Sequence, residues 1–181
     1  ASKEVDPSQL KGRRFGRILT KLRKLSREKV HEALQIQKIA RKKGDRKKIG
    51  EVMIELGLIN NQDVLEALSG QSGLRFINLE VDSIPDSAVE ALPVETATTY
   101  GIAPVAYEES SRTITIALKS PDNFRAVDDL RLLMGFKVNA VVALPEQVEA
   151  VISEKYSSGG PSMTEMMNEL SESDDLSRFG G

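Results

Sequence analysis

The sequence predicts an α+β protein: a helical tandem-motif N-terminal subdomain followed by a small α/β subdomain with about three strands. Three observations carry this expectation. The segments RFGRILTKLRKLSREKVHEALQIQ (14–37) and KIGEVMIELGLINNQDVLEALSGQ (48–71) align over 24 residues without a gap, which marks a duplicated supersecondary unit. Within each copy, apolar residues recur at steps of three and four, the spacing of one helix face. After Ser72 the period changes, and TITIAL (113–118) alternates as a half-buried strand does.

Taken in order, residues 1–10 read as a polar, flexible lead-in. Residues 11–79 form the tandem-motif subdomain. A short helix over 16–23 precedes Ser26, which has the side chain of an N-cap for a second helix running to about Ala40. The run RKKGDRKK (41–48) is a solvated turn around Gly44-Asp45. The second copy repeats the plan: a helix over 50–56, Gly57 ending it as a residue tolerant of positive φ, Asn60 or Asn61 as cap, then the stripe Val64, Ala67, Leu68, Gln71. SGLRFINL (72–79) is an extended strap.

Residues 80–156 read as the small α/β unit. Pro85 opens a helix to Leu92, Pro93 stops it, and 94–99 adds a turn. Strands over 102–107 and 113–118 flank a hairpin turn at 108–112. SPDN (120–123) leads a helix over 124–134 with Val127, Leu130 and Leu133/Met134 turned inward. Gly135 ends it, a third strand covers 137–143, and Pro145 opens a last helix to Tyr156. Residues 157–181 are acidic and low in complexity, the composition of a disordered linker.

Composition narrows the function. The 181 residues hold no Cys and a single His, His31, so thiolate chemistry and a multi-His metal site are both excluded. No G-x-S-x-G elbow and no G-x-x-x-x-G-K-[ST] P-loop occurs, and no catalytic residue is expected. No apolar run approaches the roughly 20 residues of a membrane span, and ASKEVDPSQL is not a signal peptide. A cytoplasmic location follows, with any membrane contact made through a partner. The charge is segregated: residues 11–48 hold 16 Lys+Arg against 3 Asp+Glu, net +13, and residues 49–181 hold 8 against 22, net −14. A basic surface of this kind concentrates phosphate-bearing partners. No finger, recognition helix or aromatic stacking motif points to DNA or RNA.

The ends of the copies carry the specific chemistry. Each begins with a cation, an apolar residue and a glycine: Arg14, Phe15, Gly16 and Lys48, Ile49, Gly50. Each finishes with a glutamine, Gln37 or Gln71, on the stripe that should be apolar. Cations and a helix start suit phosphate. Glycine admits close approach of a ligand or of a second helix. An amide both donates and accepts, as a base edge requires. Leu19, Val30 and Leu34, with Met53, Val64 and Leu68, offer an apolar floor for a flat base.

This paired pattern resembles the tandem-motif N-terminal domain, the MshEN type, of type II secretion and type IV pilus assembly ATPases. That motif runs Arg-Leu-Gly, Leu, Gly-x-Ile, Leu, then Ala-Leu-x-x-Gln, twice. The resemblance implies a non-catalytic regulatory domain that binds cyclic di-GMP, half in each copy, with its own motor domain and an inner-membrane platform protein as partners. It also implies an alternative: a docking module that attaches the ATPase to the platform without nucleotide. The chain departs from the pattern at Arg23 (for glycine), at Phe15, Met53, Val30 and Val64 (for leucines), at Lys48 (for arginine) and at Ser120 (for Asp). Its spacer, 38–47, is also long.

Overall fold

A computed structural model describes residues 5–157. The repeat body holds α1 (Pro7–Leu10), α2 (Phe15–Lys21), α3 (Arg27–Lys42), α4 (Ile49–Glu55) and α5 (Asn61–Gln71). Ser26 caps α3, its hydroxyl accepting from the Lys29 amide at 3.3 Å. Asn60 caps α5 in a reciprocal box with Asp63, at 2.9 and 3.1 Å. The first helix of each copy ends in the same way. Arg23 N–H donates to Thr20 and Lys24 N–H to Leu19; Gly57 N–H donates to Ile54 and Leu58 N–H to Met53. These are paired Schellman endings, with φ of +58° at Arg23 and +73° at Gly57. The duplication is therefore structural down to individual backbone bonds.

The copies do not fold side by side. The helix α2 of the first copy packs on α5 of the second, and α3 packs on α4. Ile18, Leu19, Ala33, Met53, Ile59 and Ala67 form their shared core. Lys24, in the first turn, bridges Asp63 and Glu66 on α5 at 3.4 and 3.2 Å. Burial alone would lower this ammonium's pKa, but the bonds to Glu66 and Asp63 win and raise it. Where a flexible lead-in is expected, residues 7–10 form a helical turn that buries Leu10 against Gly70 and Ile18.

The α/β unit is a four-stranded sheet in the order β1-β4-β3-β2. Its strands are β1 (Arg75–Phe76), β2 (Ala103–Glu108), β3 (Thr113–Leu118) and β4 (Lys137–Val142). The strands β2 and β3 form an antiparallel hairpin with an irregularity between Pro104 and Ala106, where an edge strand tolerates proline. Both β3 and β1 run parallel to β4. The fourth strand is the expected strap: two of its residues pair with Val141 and Val142, too few to show an alternation.

Helices cover both faces. On one, α8 (Phe124–Met134) sets Ala126, Val127 and Leu130 against Ile114, Ile116 and Leu118. On the other, α6 (Asp86–Ala91) and α9 (Pro145–Ser157) set Ala88, Val148 and Val151 against Ala103 and Ala117. A 3-10 turn (Val81–Ser83) precedes α6, and α7 (Val94–Tyr100) follows it. Two long-range bonds tie α9 in place. Gln147 accepts from the Leu79 amide at 3.0 Å, and Tyr156 donates to the Leu92 carbonyl at 2.7 Å. Leu133 departs from expectation: it is 78% exposed, and Leu132 82%. The inward stripe is Val127, Leu130, Met134, and Leu133 falls one position, about 100°, off it. The expected linker lies outside the described residues from position 158 onward.

Candidate functional site

Each glutamine that ends a copy reaches across to the start of the other copy. The Gln37 amide donates to the Lys47 carbonyl at 3.1 Å, and the Gln71 amide donates to the Arg13 carbonyl at 3.1 Å. Lys47 and Arg13 are equivalent positions, each directly before the motif cation. Gly12 N–H closes the second clasp by donating to the Gln71 carbonyl at 2.9 Å. The two amides thus fix the places where Arg14 and Lys48 leave the body. The swap of helices between copies makes this reach possible, because it brings the end of α5 beside the start of α2.

The remaining predicted residues divide by depth. Arg14 and Lys48 are the exposed N-cap residues of α2 and α4. Leu34 and Leu68, equivalent in the two copies, are 46% and 38% exposed and open to a flat ligand. Leu19 and Met53 are both 0% exposed; they are core residues beneath the surface, not a floor a guest touches. Phe15, Ile49, Val30 and Val64 are half-buried around the same core.

Gly16 and Gly50 serve different neighbours. A Cβ on Gly16 would come 2.6 Å from Val30 Cγ1, so the glycine lets α2 lie against α3. A Cβ on Gly50 would meet Phe15 at 3.4 Å and Val64 at 3.6 Å, ordinary contacts. The ring of Phe15, where the motif has leucine, lies over the second-copy glycine.

A groove of about 460 Å³ opens between α2 and α3, lined by Gly16, Arg17, Thr20, Lys21, Arg27 and Val30. Two of these, Gly16 and Val30, are motif residues. The others lie within the first copy at positions the motif does not specify, and their signal was periodic: Thr20 stands four residues after Gly16, and Lys21 four after Arg17, on one helix face. The Thr20 hydroxyl donates to the Arg17 carbonyl at 2.7 Å. Three cations thus rim an apolar and glycine base, an arrangement that attracts an anion carrying a flat, partly apolar body.

The second copy presents other groups at the equivalent positions: Glu51 for Arg17, Ile54 for Thr20, Glu55 for Lys21 and Asn61 for Arg27. Glu51 accepts from the Lys48 amide at 3.2 Å. Glu55 pairs with Lys47 at 2.6 Å, and Asp45 lies 3.6 Å from the same ammonium. The Glu55 hydrogen bond, helped by the Asp45 charge, raises the Lys47 pKa. Among the described residues no cluster of His, Asp or Glu side chains is arranged to hold a metal, and no helix is long and apolar enough to cross a membrane.

This fold and its paired motifs define an MshEN-type domain. The chain belongs to the MshEN domain family, whose model matches residues 72–162. The family match falls on the α/β unit, while the tandem motif lies ahead of it. The chain is 27% identical to the type IV pilus assembly ATPase PilB of Myxococcus xanthus, over 87% of its own length and 26% of that protein. It is also 27% identical to PilB of Thermus thermophilus, over 77% of its length and 19% of that protein. It therefore spans about a quarter or less of these relatives. A solved structure of MshE with cdg (cyclic di-GMP) has the same fold, with a TM-score of 0.53, 22% identity, and coverage of 78% of this chain and 97% of that one.

Proposed function

We propose that this chain is the non-catalytic regulatory domain of a type IV pilus or type II secretion assembly ATPase, and that it binds cyclic di-GMP through its two tandem motifs. One observation carries the reading: the cation-rimmed groove at Gly16 and Val30 is flanked along the chain by exposed Arg14, just ahead of Gly16, and by exposed Leu34, one helical turn after Val30. Phosphate would lie toward Arg14 and the groove cations, and a guanine would lie on Leu34, with Leu68 the counterpart in the second copy. The glutamines act here mainly by positioning. Each spends an amide N–H on the opposite copy and keeps its oxygen for a base edge. Occupancy would brace α2 against α3 and bias an attached motor, placing the domain in the cytoplasm at the inner membrane through its partners.

Titration calorimetry with cyclic di-GMP tests this. One-to-one binding that weakens about tenfold in Arg14→Ala is expected, the loss of one charge-assisted contact. Heat-silent mixing with an intact circular-dichroism spectrum would remove the sensor reading. The docking alternative then stands on Leu132 and Leu133, two adjacent leucines of α8 at 82% and 78% exposure. Their position suits a platform or motor surface, and Leu132→Ser with Leu133→Ser would abolish that attachment while leaving the fold unchanged.

A further inference from the structure

We propose that the C-terminal half of α3 docks on an anionic phospholipid bilayer, with its isoleucines in the headgroup layer and its lysines on the lipid phosphates. This contact uses a different face from the nucleotide groove and does not rest on the reading above. The two copies diverge after their glutamines. In the second, α5 ends at Gln71; in the first, α3 runs on past Gln37 to Lys42. The added turn and the spacer after it, residues 38–48, hold 7 Lys+Arg against one acid, Asp45. Ile36 and Ile39 stand one turn apart there, at 43% and 54% exposure.

Helix geometry sets these groups apart from the groove. Ala33 is fully buried and marks the direction of the core. At about 100° per residue, Leu34 falls about 100° to one side, the side of Val30 and Arg27, while Ile36 and Ile39 fall about 60° and 120° to the other. Lys43 continues their stripe and Lys42 adjoins it. The acids of this face, Glu28 and Glu32, lie at least one turn nearer the start of α3, and Glu32 is paired with Lys29 at 3.3 Å. Lys38, Arg41, Lys42, Lys43 and Arg46 are exposed and form no ion pair among the described residues. At this end of the helix Arg41 and Arg46 border a hollow of about 370 Å³, open to a phosphate headgroup.

The chemistry of the face favours lipid over a macromolecule. No Phe, Tyr or Trp occurs between Arg27 and Lys48, so the face has no aromatic anchor for a protein and no ring to stack on a base. It offers two aliphatic side chains among long cations that can spread over a fluid layer of phosphates. The rest of the chain, net −14 over residues 49–181, is repelled by the same surface, so the basic end alone approaches it.

Flotation of the full chain with vesicles of phosphatidylcholine, alone or mixed with phosphatidylglycerol, tests this. Binding to the mixed vesicles only, weakening as sodium chloride is raised, is expected. Lys42→Gln with Lys43→Gln should weaken it roughly 25-fold, about fivefold for each cation, and Ile36→Ser with Ile39→Ser by about tenfold or more. Both pairs keep the circular-dichroism spectrum and, lying off the groove, leave the parent chain's response to cyclic di-GMP unchanged. Three results overturn the inference: a folded chain that floats with neither vesicle or with both alike, an isoleucine pair that binds as the parent does, or release by inorganic phosphate at an ionic strength where chloride releases nothing. Floating with neither leaves the face to an acidic protein, and release by phosphate leaves it to a free phosphate ligand. None of the three touches the nucleotide reading, which fails instead by the calorimetry above.

Discussion

Arg23→Gly should stabilise the protein. Arg23 ends α2 with φ of +58°, a left-handed conformation that an L side chain adopts at a cost of roughly 1–2 kcal/mol. The same position in the second copy is Gly57, at +73°, in the same pair of backbone bonds. Arg23 is exposed, and its guanidinium makes no ion pair among the described residues, so little is lost with the side chain. Glycine returns about 0.5–1 kcal/mol as extra freedom of the unfolded chain. The net expectation is a gain of about 0.5–1 kcal/mol, a rise in Tm of roughly 1–4 °C for a chain of this size. Urea unfolding followed by far-UV circular dichroism measures it by linear extrapolation. Gly57→Ala is the paired control and should lose about 1 kcal/mol, through φ alone, because nothing lies within 4 Å of the new Cβ. Should Arg23→Gly leave stability unchanged or lower it while Gly57→Ala behaves as expected, the endings are not equivalent, and the argument from the repeat fails.

Three further outcomes are expected. Gly16→Ala should destabilise by about 1–3 kcal/mol, because the 2.6 Å approach to Val30 must be relieved by a stiff β-branched side chain; Gly50→Ala should be neutral or stabilising by up to about 1 kcal/mol, and thermal melts separate the two. Gln37→Ala and Gln71→Ala should each cost about 1 kcal/mol by loss of a cross-copy bond, with a double-mutant cycle in urea reading how far the two clasps depend on each other. Stability should fall between about pH 10 and about pH 12: burial pushes Tyr156 up from 10.0 to about 12, so the folded state keeps a proton that the unfolded state releases. Below pH 10 this group contributes no slope, and Tyr156→Phe should flatten the decline in a pH series of urea midpoints.

The chain order alone determined the helical duplication, the cap at Ser26, a cap at Asn60 or Asn61, the glycine ending at Gly57 and the strand at 113–118, because each rests on local periodicity or on a side chain bonding its own neighbours. It also determined which residues repeat, and so where a paired site had to be sought. It did not determine how the copies meet. That α2 lies on α5 and α3 on α4 is a packing choice among apolar faces that look alike in one dimension. The consequences of that choice were equally hidden: the glutamines clasping opposite copies, Leu19 and Met53 sinking into the core while Leu34 and Leu68 stay outside, and Phe15 covering Gly50. The strand at Arg75 and Phe76 was invisible for a related reason, since two residues carry no alternation and gain their identity only from the edge of β4. Local bonds are written in neighbouring residues, whereas burial and the charge around a groove depend on which distant surface arrives, and only the folded chain decides that.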